Sequence, residues 1–291
     1  MKPNCPYQCP SNSSKISKYG NYLRKSDSRI IQRYKCQLCG KGFSSATSSL
    51  CFGQKKRRVN ELLFKLLCSG VSMRRCALIL NIHRKTVQRK LKFLAKRARI
   101  NQLEFLSKLK DSPVTHLEID DLITIEHTKL KPLSVSIAVD GKNRALLDVQ
   151  VSQIPSFGHL AAISRRKYGY RKSLHAKGLK RLFKTIEAVV DPKAVIQTDE
   201  HKLYPPLVQN YFPNARYQQH KSEKACVAGQ GELKKVRRDP LFAINHTLAM
   251  CRANINRLVR RTWCTTKDPQ MLLNHLQIYM DFHNRCLLKM S

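Results

Sequence analysis

Acidic residues are scarce in this chain. Its 291 residues hold 19 Asp and Glu against 55 Lys and Arg, a formal net charge of +36. So much like charge opposes compaction by self-repulsion and calls for a polyanionic partner. Nucleic acid is the leading candidate, because neutralised phosphates release counterions and drive binding; a ribosomal or membrane-surface role is the alternative. Long apolar runs are also missing. No stretch approaches the ~18 residues that span a bilayer, and no apolar run follows Met1 as a secretory signal requires. Neither membrane insertion nor secretion is expected. The eleven cysteines are odd in number and come without a secretion signal. That argues against a disulfide framework and for metal ligands or buried thiols.

What is present is unevenly spread. Residues 1–110 carry 3 acids and 26 bases, a net of +23, whereas residues 111–291 carry 16 acids and 29 bases, a net of +13. The length accommodates about two or three domains with at least one sizeable core. The first part reads as a binding module, and the second holds most of the carboxylates a reaction centre would need.

Two cysteine pairs open the chain: CPYQC with Cys5 and Cys9, then RYKCQLCGKGF with Cys36 and Cys39. A C-x-x-C followed by glycine is a zinc knuckle, in which a tight turn over Gly40 aims two thiolates at one ion. Four thiolates leave no open coordination position, so the Zn²⁺ site expected here is structural. Between the pairs lie Tyr19, Gly20, Tyr22, Arg24, Arg29, Arg33 and Tyr34, residue types suited to phosphate and base contact. Cys51, Cys68, Cys76, Cys226, Cys251, Cys264 and Cys286 have no ligand spacing and read as core thiols.

A Ser-rich and then basic stretch, residues 44–58, reads as a linker. Leu62, Leu63, Leu66 and Leu67 follow at helical spacing, and Gly70 ends that helix. Ser72 suits the cap of a second helix carrying Cys76, Ala77 and Leu80 inward. After a short turn at Asn81 and Ile82, a third helix starts near Arg84 and buries Val87, Leu91 and Leu94. A short helix, a tight turn and a basic helix describe a helix-turn-helix. Its recognition face would present Arg84, Lys85, Gln88, Arg89 and Lys92, and Arg and Gln are types that read guanine and adenine. The bland alternative is a helical bundle with a solvated basic face.

Beyond residue 111 the period changes. In LEIDDLITIE, residues 117–126, Leu117, Ile119, Ile123 and Ile125 share one face of a strand, and Glu118, Asp120, Leu122 and Thr124 the other. PLSVSIAVD is a second strand, DGKN a hairpin turn and RALLDVQVSQI a third strand. A helix over 175–190, the strand KAVIQTDE ending near Asp199, a helix over 203–211, the strand ARYQQH and a long basic helix over 240–261 follow. This order resembles that of ribonuclease H-like domains. The resemblance implies a mixed five-stranded sheet with flanking helices, with the first strand beside the fourth and Asp120 beside Asp199. Two such carboxylates can hold a pair of Mg²⁺ or Mn²⁺ ions ~3.5–4 Å apart for phosphodiester chemistry. An edge-strand acid and a helix cap are the ordinary alternatives for the same two residues.

Taken together, RYKCQLCGKGF, the helix-turn-helix, IDDL around Asp120, IQTDEHKLY around Asp199 and RANINRLVRRTWCTTK resemble bacterial insertion-sequence transposases of the InsA–InsB type, with their DDE active site. The resemblance covers nearly the whole chain. It implies a zinc-ribbon-like module over residues 1–54, a helix-turn-helix over 55–110 and a catalytic domain over 111–291. It further implies a bacterial, nucleoid-associated cytoplasmic enzyme that oligomerises on double-stranded DNA, binding the terminal inverted repeats and a target. The family's third acid precedes its arginine helix by 7 residues, and counting back from Arg252 reaches Asn245. The competitors are Glu232, 33 residues after Asp199, and Asp239. Arg252, Arg257, Arg260 and Arg261 would contact phosphates, and Lys129 would touch DNA. Asp121, the strand neighbour of Asp120, faces away from it by alternation, and Asp121 and Glu126 suit structural or surface roles. His127, His220 and His246 could bind a metal or transfer protons, though no two have ligand spacing; the lone Trp263 could stack on a flipped base, though a lone Trp more often sits in the core. If no third ligand serves, the other expectation is a sequence-specific DNA-binding regulator on a degenerate form of the same fold.

Overall fold

The computed structural model describes residues 4–7, 9, 15–25, 27–221, 239–258 and 263–290. The chain forms two compact units, Met1–Leu62 and Leu63–Ser291.

In the first unit, β1 (Ile16–Arg24), β2 (Arg29–Cys36) and β3 (Gly42–Ser44) make an antiparallel sheet in that order. An ion pair between Arg24 and Asp27 braces the first turn. The second turn is the knuckle. Gly40 N–H donates to Cys36 O at 2.9 Å and Cys36 N–H to Lys41 O at 3.1 Å. Gly40 sits at φ 70°, where a side chain would be strained. Ile31, Cys36, Phe43 and Ala46 are buried here, and Tyr34 stacks on Phe43. That core is too small to hold sixty residues alone, so a cross-link by metal is the expected supplement.

Helix α1 (Asn60–Leu67) leads into the second unit, followed by α2 (Met73–Ile79) and α3 (Arg84–Leu109). Leu63, Phe64, Leu67 and Cys68 point inward, but Leu62 is 48% exposed, so the buried stripe is one residue off the expected one. Ser72 caps α2 by accepting from Arg75 N–H at 3.3 Å, and Asn81 turns the chain at φ 47°. Val87, Leu91 and Leu94 are buried on α3 as their spacing predicts. The helix then runs on to Leu109. Its last turns carry Arg99, whose Nε donates to Gln277 at 2.8 Å, Asn101, bonded to Asp281 at 3.0 Å, and Gln102, which donates to the Leu146 and Leu147 carbonyls. One helix thus joins the helix-turn-helix to the sheet that follows.

That sheet contains β4 (Val114–Glu126), β5 (Thr128–Asp140), β6 (Leu146–Gln153), β7 (Val190–Asp199) and β8 (Arg216–His220) in the order β6-β5-β4-β7-β8. Pairs β4–β5 and β5–β6 are antiparallel; β4–β7 and β7–β8 are parallel. Parallel pairing requires a crossover. It is made by α4 (Leu160–Tyr168) and α5 (His175–Ile186) before β7, and by α6 (Tyr204–Tyr211) before β8. Residues Pro132–Asp140 are all buried, as expected of a strand covered on both faces. On one face Leu179, Leu182, Phe183 and Ile186 of α5 pack with Leu117, Ile119, Ala138 and Leu147. On the other lies α7 (Phe242–Asn254), and α8 (Pro269–Phe282) packs against α3 and β6.

Three expectations are corrected. The basic helix stops at Asn254 instead of running to residue 261, because Ile255 is buried in an extended conformation and Asn254 O accepts from Gly70 N–H at 2.7 Å. A short 3-10 turn, Asn256–Leu258, follows. Trp263 is 79% exposed rather than in the core. Of the presumed core thiols, Cys68, Cys76 and Cys251 are buried, Cys51 and Cys264 half-buried, and Cys286 exposed; Cys226 lies outside the described residues. Among the described residues, no helix is long and apolar enough to cross a membrane.

Candidate active site

The parallel register of β4 and β7 pairs Leu117 with Ile196, Glu118 with Gln197 and Ile119 with Thr198. One step further along both strands come Asp120 and Asp199, the last residue of β7. Neighbouring strands lie ~4.8 Å apart, and side chains alternate between faces. Asp120 therefore shares a face with Glu118, and Asp199 shares it with Gln197. Both aspartates are half-buried. Burial raises the pKa of Asp199, and the negative charge of Asp121 raises it further. His201 N–H holds one Asp199 oxygen at 3.0 Å.

The residues around this pair are polar and interlocked. His116 Nε2 lies 2.6 Å from Gln197 Oε1, and Gln197 Nε2 donates to Gln218 Oε1 and to His220 Nε2, both at 3.0 Å. His220 is thus part of a row crossing three strands. Glu118 is only 3% exposed, and its Oε2 accepts from Ile244 N–H at 2.8 Å. Burial raises its pKa, the N–H groups of α7 lower it, and Asp239 adds repulsion. Asp239 stands at the start of α7, accepting from Leu241 N–H at 2.9 Å and from Asn245 Nδ2 at 2.8 Å. The two described candidates for a third ligand, Asn245 and Asp239, are therefore bonded to each other. The bond engages the amide nitrogen of Asn245, not the oxygen a hard cation would take. Glu232 lies outside the described residues.

Asp121 points to the opposite face, as alternation requires. Its carboxylate accepts from Ser134 Oγ at 2.7 Å, Ser136 Oγ at 2.5 Å and Tyr204 OH at 3.0 Å, and pairs with His175 Nε2 at 2.8 Å. Burial opposes its charge, but His175 and the two serines outweigh burial and hold its pKa below the ordinary value. His175 also stacks edge-on against His201, ring centroids 5.0 Å apart. A buried network thus backs the loop after Asp199. Glu126 pairs with Arg171 at 2.7 Å. His246 lies 3.0 Å from Arg144, and burial together with that charge lowers its pKa. Exposed His127 is a turn residue at φ 62°.

On α3, Arg84, Lys85, Gln88, Arg89 and Lys92 are all exposed. So are Arg252 and Lys129. Arg257 is not: it turns inward to Thr266 Oγ1 at 3.0 Å, and burial lowers its pKa. The end of α7 before it removes Arg257 from the exposed helical face expected. Arg260 and Arg261 lie outside the described residues.

In the first unit the sulfurs of Cys5, Cys9, Cys36 and Cys39 all lie within 4.8 Å of one another. Cys5 and Cys39 are 3.8 Å apart and Cys36 and Cys9 4.0 Å. A tetrahedron with Zn–S bonds of ~2.3 Å separates its sulfurs by ~3.8 Å. The cluster could hold a structural zinc. It is the only such set of three or more His, Cys, Asp or Glu ligands among the described residues. At the sheet, Asp120 and Asp199 offer carboxylate oxygens, the donor type of hard cations rather than of zinc.

Sequence reasoning missed Glu118, His175 and Tyr204. Glu118 shares the period of Asp120, a usable signal; nothing local marks the other two. No protein-family model and no curated protein matches the chain.

Proposed function

We propose that this protein is a DNA transposase on a ribonuclease H-like catalytic domain. The observation that carries the reading is the register placing Asp120 beside Asp199 in a sheet of order β6-β5-β4-β7-β8, within a chain of net charge +36. Carboxylate oxygens are the donors that hard divalent cations take. Mg²⁺ or Mn²⁺ bound there supplies stabilisation of the attacking and leaving oxygens of a phosphodiester. Asp120 and Asp199 hold the ions. Glu118 seats the start of α7, which presents Asn245 and Asp239. Asp121, His175 and Tyr204 support the site from behind and touch no substrate.

DNA reading falls to α3 and the cysteine module with its structural zinc. Rising ~1.5 Å per residue, α3 places Gln88 ~21 Å from Gln102, which is bonded to β6. The inverted repeats are thereby read at a fixed distance from the cleavage centre. Pairing two element ends calls for an oligomer, and chemistry on the nucleoid calls for the cytoplasm.

Incubation with DNA carrying the sequences that flank the reading frame tests this. Divalent-metal-dependent strand cleavage is expected, lost in Asp120→Ala and Asp199→Ala with binding kept. Binding without cleavage under any divalent metal favours the second reading, a DNA-binding regulator. Asn245, an uncharged amide at the third position, is its support.

A further inference from the structure

Between β6 and α5 the chain leaves the sheet and builds a platform that no part of the reading above uses. From Val149 to Ile186 there are nine Lys and Arg and no Asp or Glu. Arg165, Arg166 and Lys167 are exposed along α4, and Lys177, Lys180, Arg181 and Lys184 along the outer face of α5. Aromatic rings stand among them: Tyr170 is 81% and Phe157 63% exposed.

The platform is held firmly. Ser164 Oγ donates to Leu130 O at 2.7 Å, fastening α4 to β5. Arg171 Nε donates to Ile154 O at 3.2 Å, and Gln153 Nε2 donates to Lys172 O at 3.0 Å. Lys131 Nζ lies 4.4 Å from the centre of the Tyr168 ring. Lys131, Gln153, Tyr168, Tyr170, Arg171 and Lys172 line an open cleft of about 370 Å³. The carboxylate that reaches it, Glu126, is already bonded to Arg171. Ammonium groups beside exposed aromatic faces, with the local carboxylate engaged, fit a phosphate carrying a stackable base. A protein partner would call for a larger apolar area than two rings.

We propose that this cleft is a second nucleic-acid contact, distinct from α3, in which Lys131 and Lys172 take a backbone phosphate and Tyr170 stacks on a base. The assignment rests on the DNA reading given above. Its position follows from β4. Glu126 is six residues beyond Asp120, roughly 20 Å at ~3.3 Å per residue.

The test is binding of the full-length protein to a nonspecific duplex and to a duplex with a single-stranded end, followed by fluorescence anisotropy across a salt series. Cleavage is not read, so an inactive metal site leaves the result intact. Lys131→Ala/Lys172→Ala is expected to reduce the magnitude of the log–log salt slope by about 1, one phosphate contact being lost. Tyr170→Ala is expected to weaken the single-stranded end about tenfold, with Tyr170→Phe restoring it. Unchanged slope and affinity in melting-competent variants overturn the proposal. Loss of binding to phosphatidylserine vesicles without loss of DNA binding assigns the surface to lipid and overturns it too. Arg89→Ala separates the two readings: if it weakens DNA binding and the platform variants do not, only the platform is refuted. If neither set alters binding, the DNA reading itself fails.

Discussion

The Glu118 carboxylate accepts a hydrogen bond from Ile244 N–H at 2.8 Å, across 126 residues of chain. Helix α7 has no side-chain cap of its own at Leu241, and Glu118 serves its open N–H groups from the sheet. Because Glu118 shares a face with Asp120, and Ile244 precedes Asn245, this bond sets the spacing between the strand carboxylates and α7.

Glu118→Ala should therefore lower metal-dependent cleavage about 10- to 100-fold while sparing DNA affinity. The supporting contacts of metal ligands typically carry effects of that size. Glu118→Gln keeps an acceptor oxygen and should recover most of the activity. Equal loss in both variants would show that the charge, not the bond, matters.

Asp120 and Asp121 are neighbours with opposite expectations. Asp121 is bonded by Ser134, Ser136 and Tyr204 and paired with His175. Truncation leaves that buried histidine and three hydroxyls without their acceptor. Asp121→Ala should cost about 3 kcal/mol of stability, and Asp120→Ala less than about 1 kcal/mol, by urea denaturation of the metal-free protein. The reverse order would show that the bonds to Asp121 do not carry the stability of this part of the sheet.

Stability should also fall in mild acid. His275 is 1% exposed, with Nε2 2.8 Å from Leu67 O. Burial and the charge of Arg257 push its pKa down to about 4 from 6.5. As pH drops through ~6.5, the unfolded chain takes the proton first, so stability declines until the folded pKa is passed. The loss accumulates to about 3 kcal/mol between pH 6.5 and pH 4. His275→Gln, which retains a donor for Leu67, should flatten that part of the denaturation profile. A profile unchanged by the substitution would show that another group titrates.

The cysteine module should carry one zinc per chain, measured by metal analysis of the purified protein. Chelation should make residues 1–62 protease-sensitive while leaving the second unit intact, because so small a core does not hold the first sheet together. Cys36→Ser should reproduce the effect without chelator. A metal-free protein that resists protease equally would show that the four thiols need no ion.

Much of this protein is local enough to be read along the chain. The period-two pattern of LEIDDLITIE places Glu118 and Asp120 on one face and Asp121 on the other, and β4 keeps that division. The C-x-x-C and its glycine shape the knuckle, and Ser72 caps the helix it precedes. These outcomes depend on neighbours a few residues away, where backbone sterics and side-chain alternation decide. Other features depend on partners brought from far along the chain. Asp120 and Asp199 come one step beyond the same pair, Ile119 and Thr198, only through the parallel register of β4 and β7. Glu118 meets Ile244, and Asp121 meets His175 and Tyr204, only once crossovers have laid helices on both faces. The end of α7 at Asn254 and the inward turn of Arg257 run against a sequence that is locally helical and basic. Burying Ile255 and bonding Gly70 outweigh the small propensity gain of another helical turn, and only tertiary packing supplies those contacts.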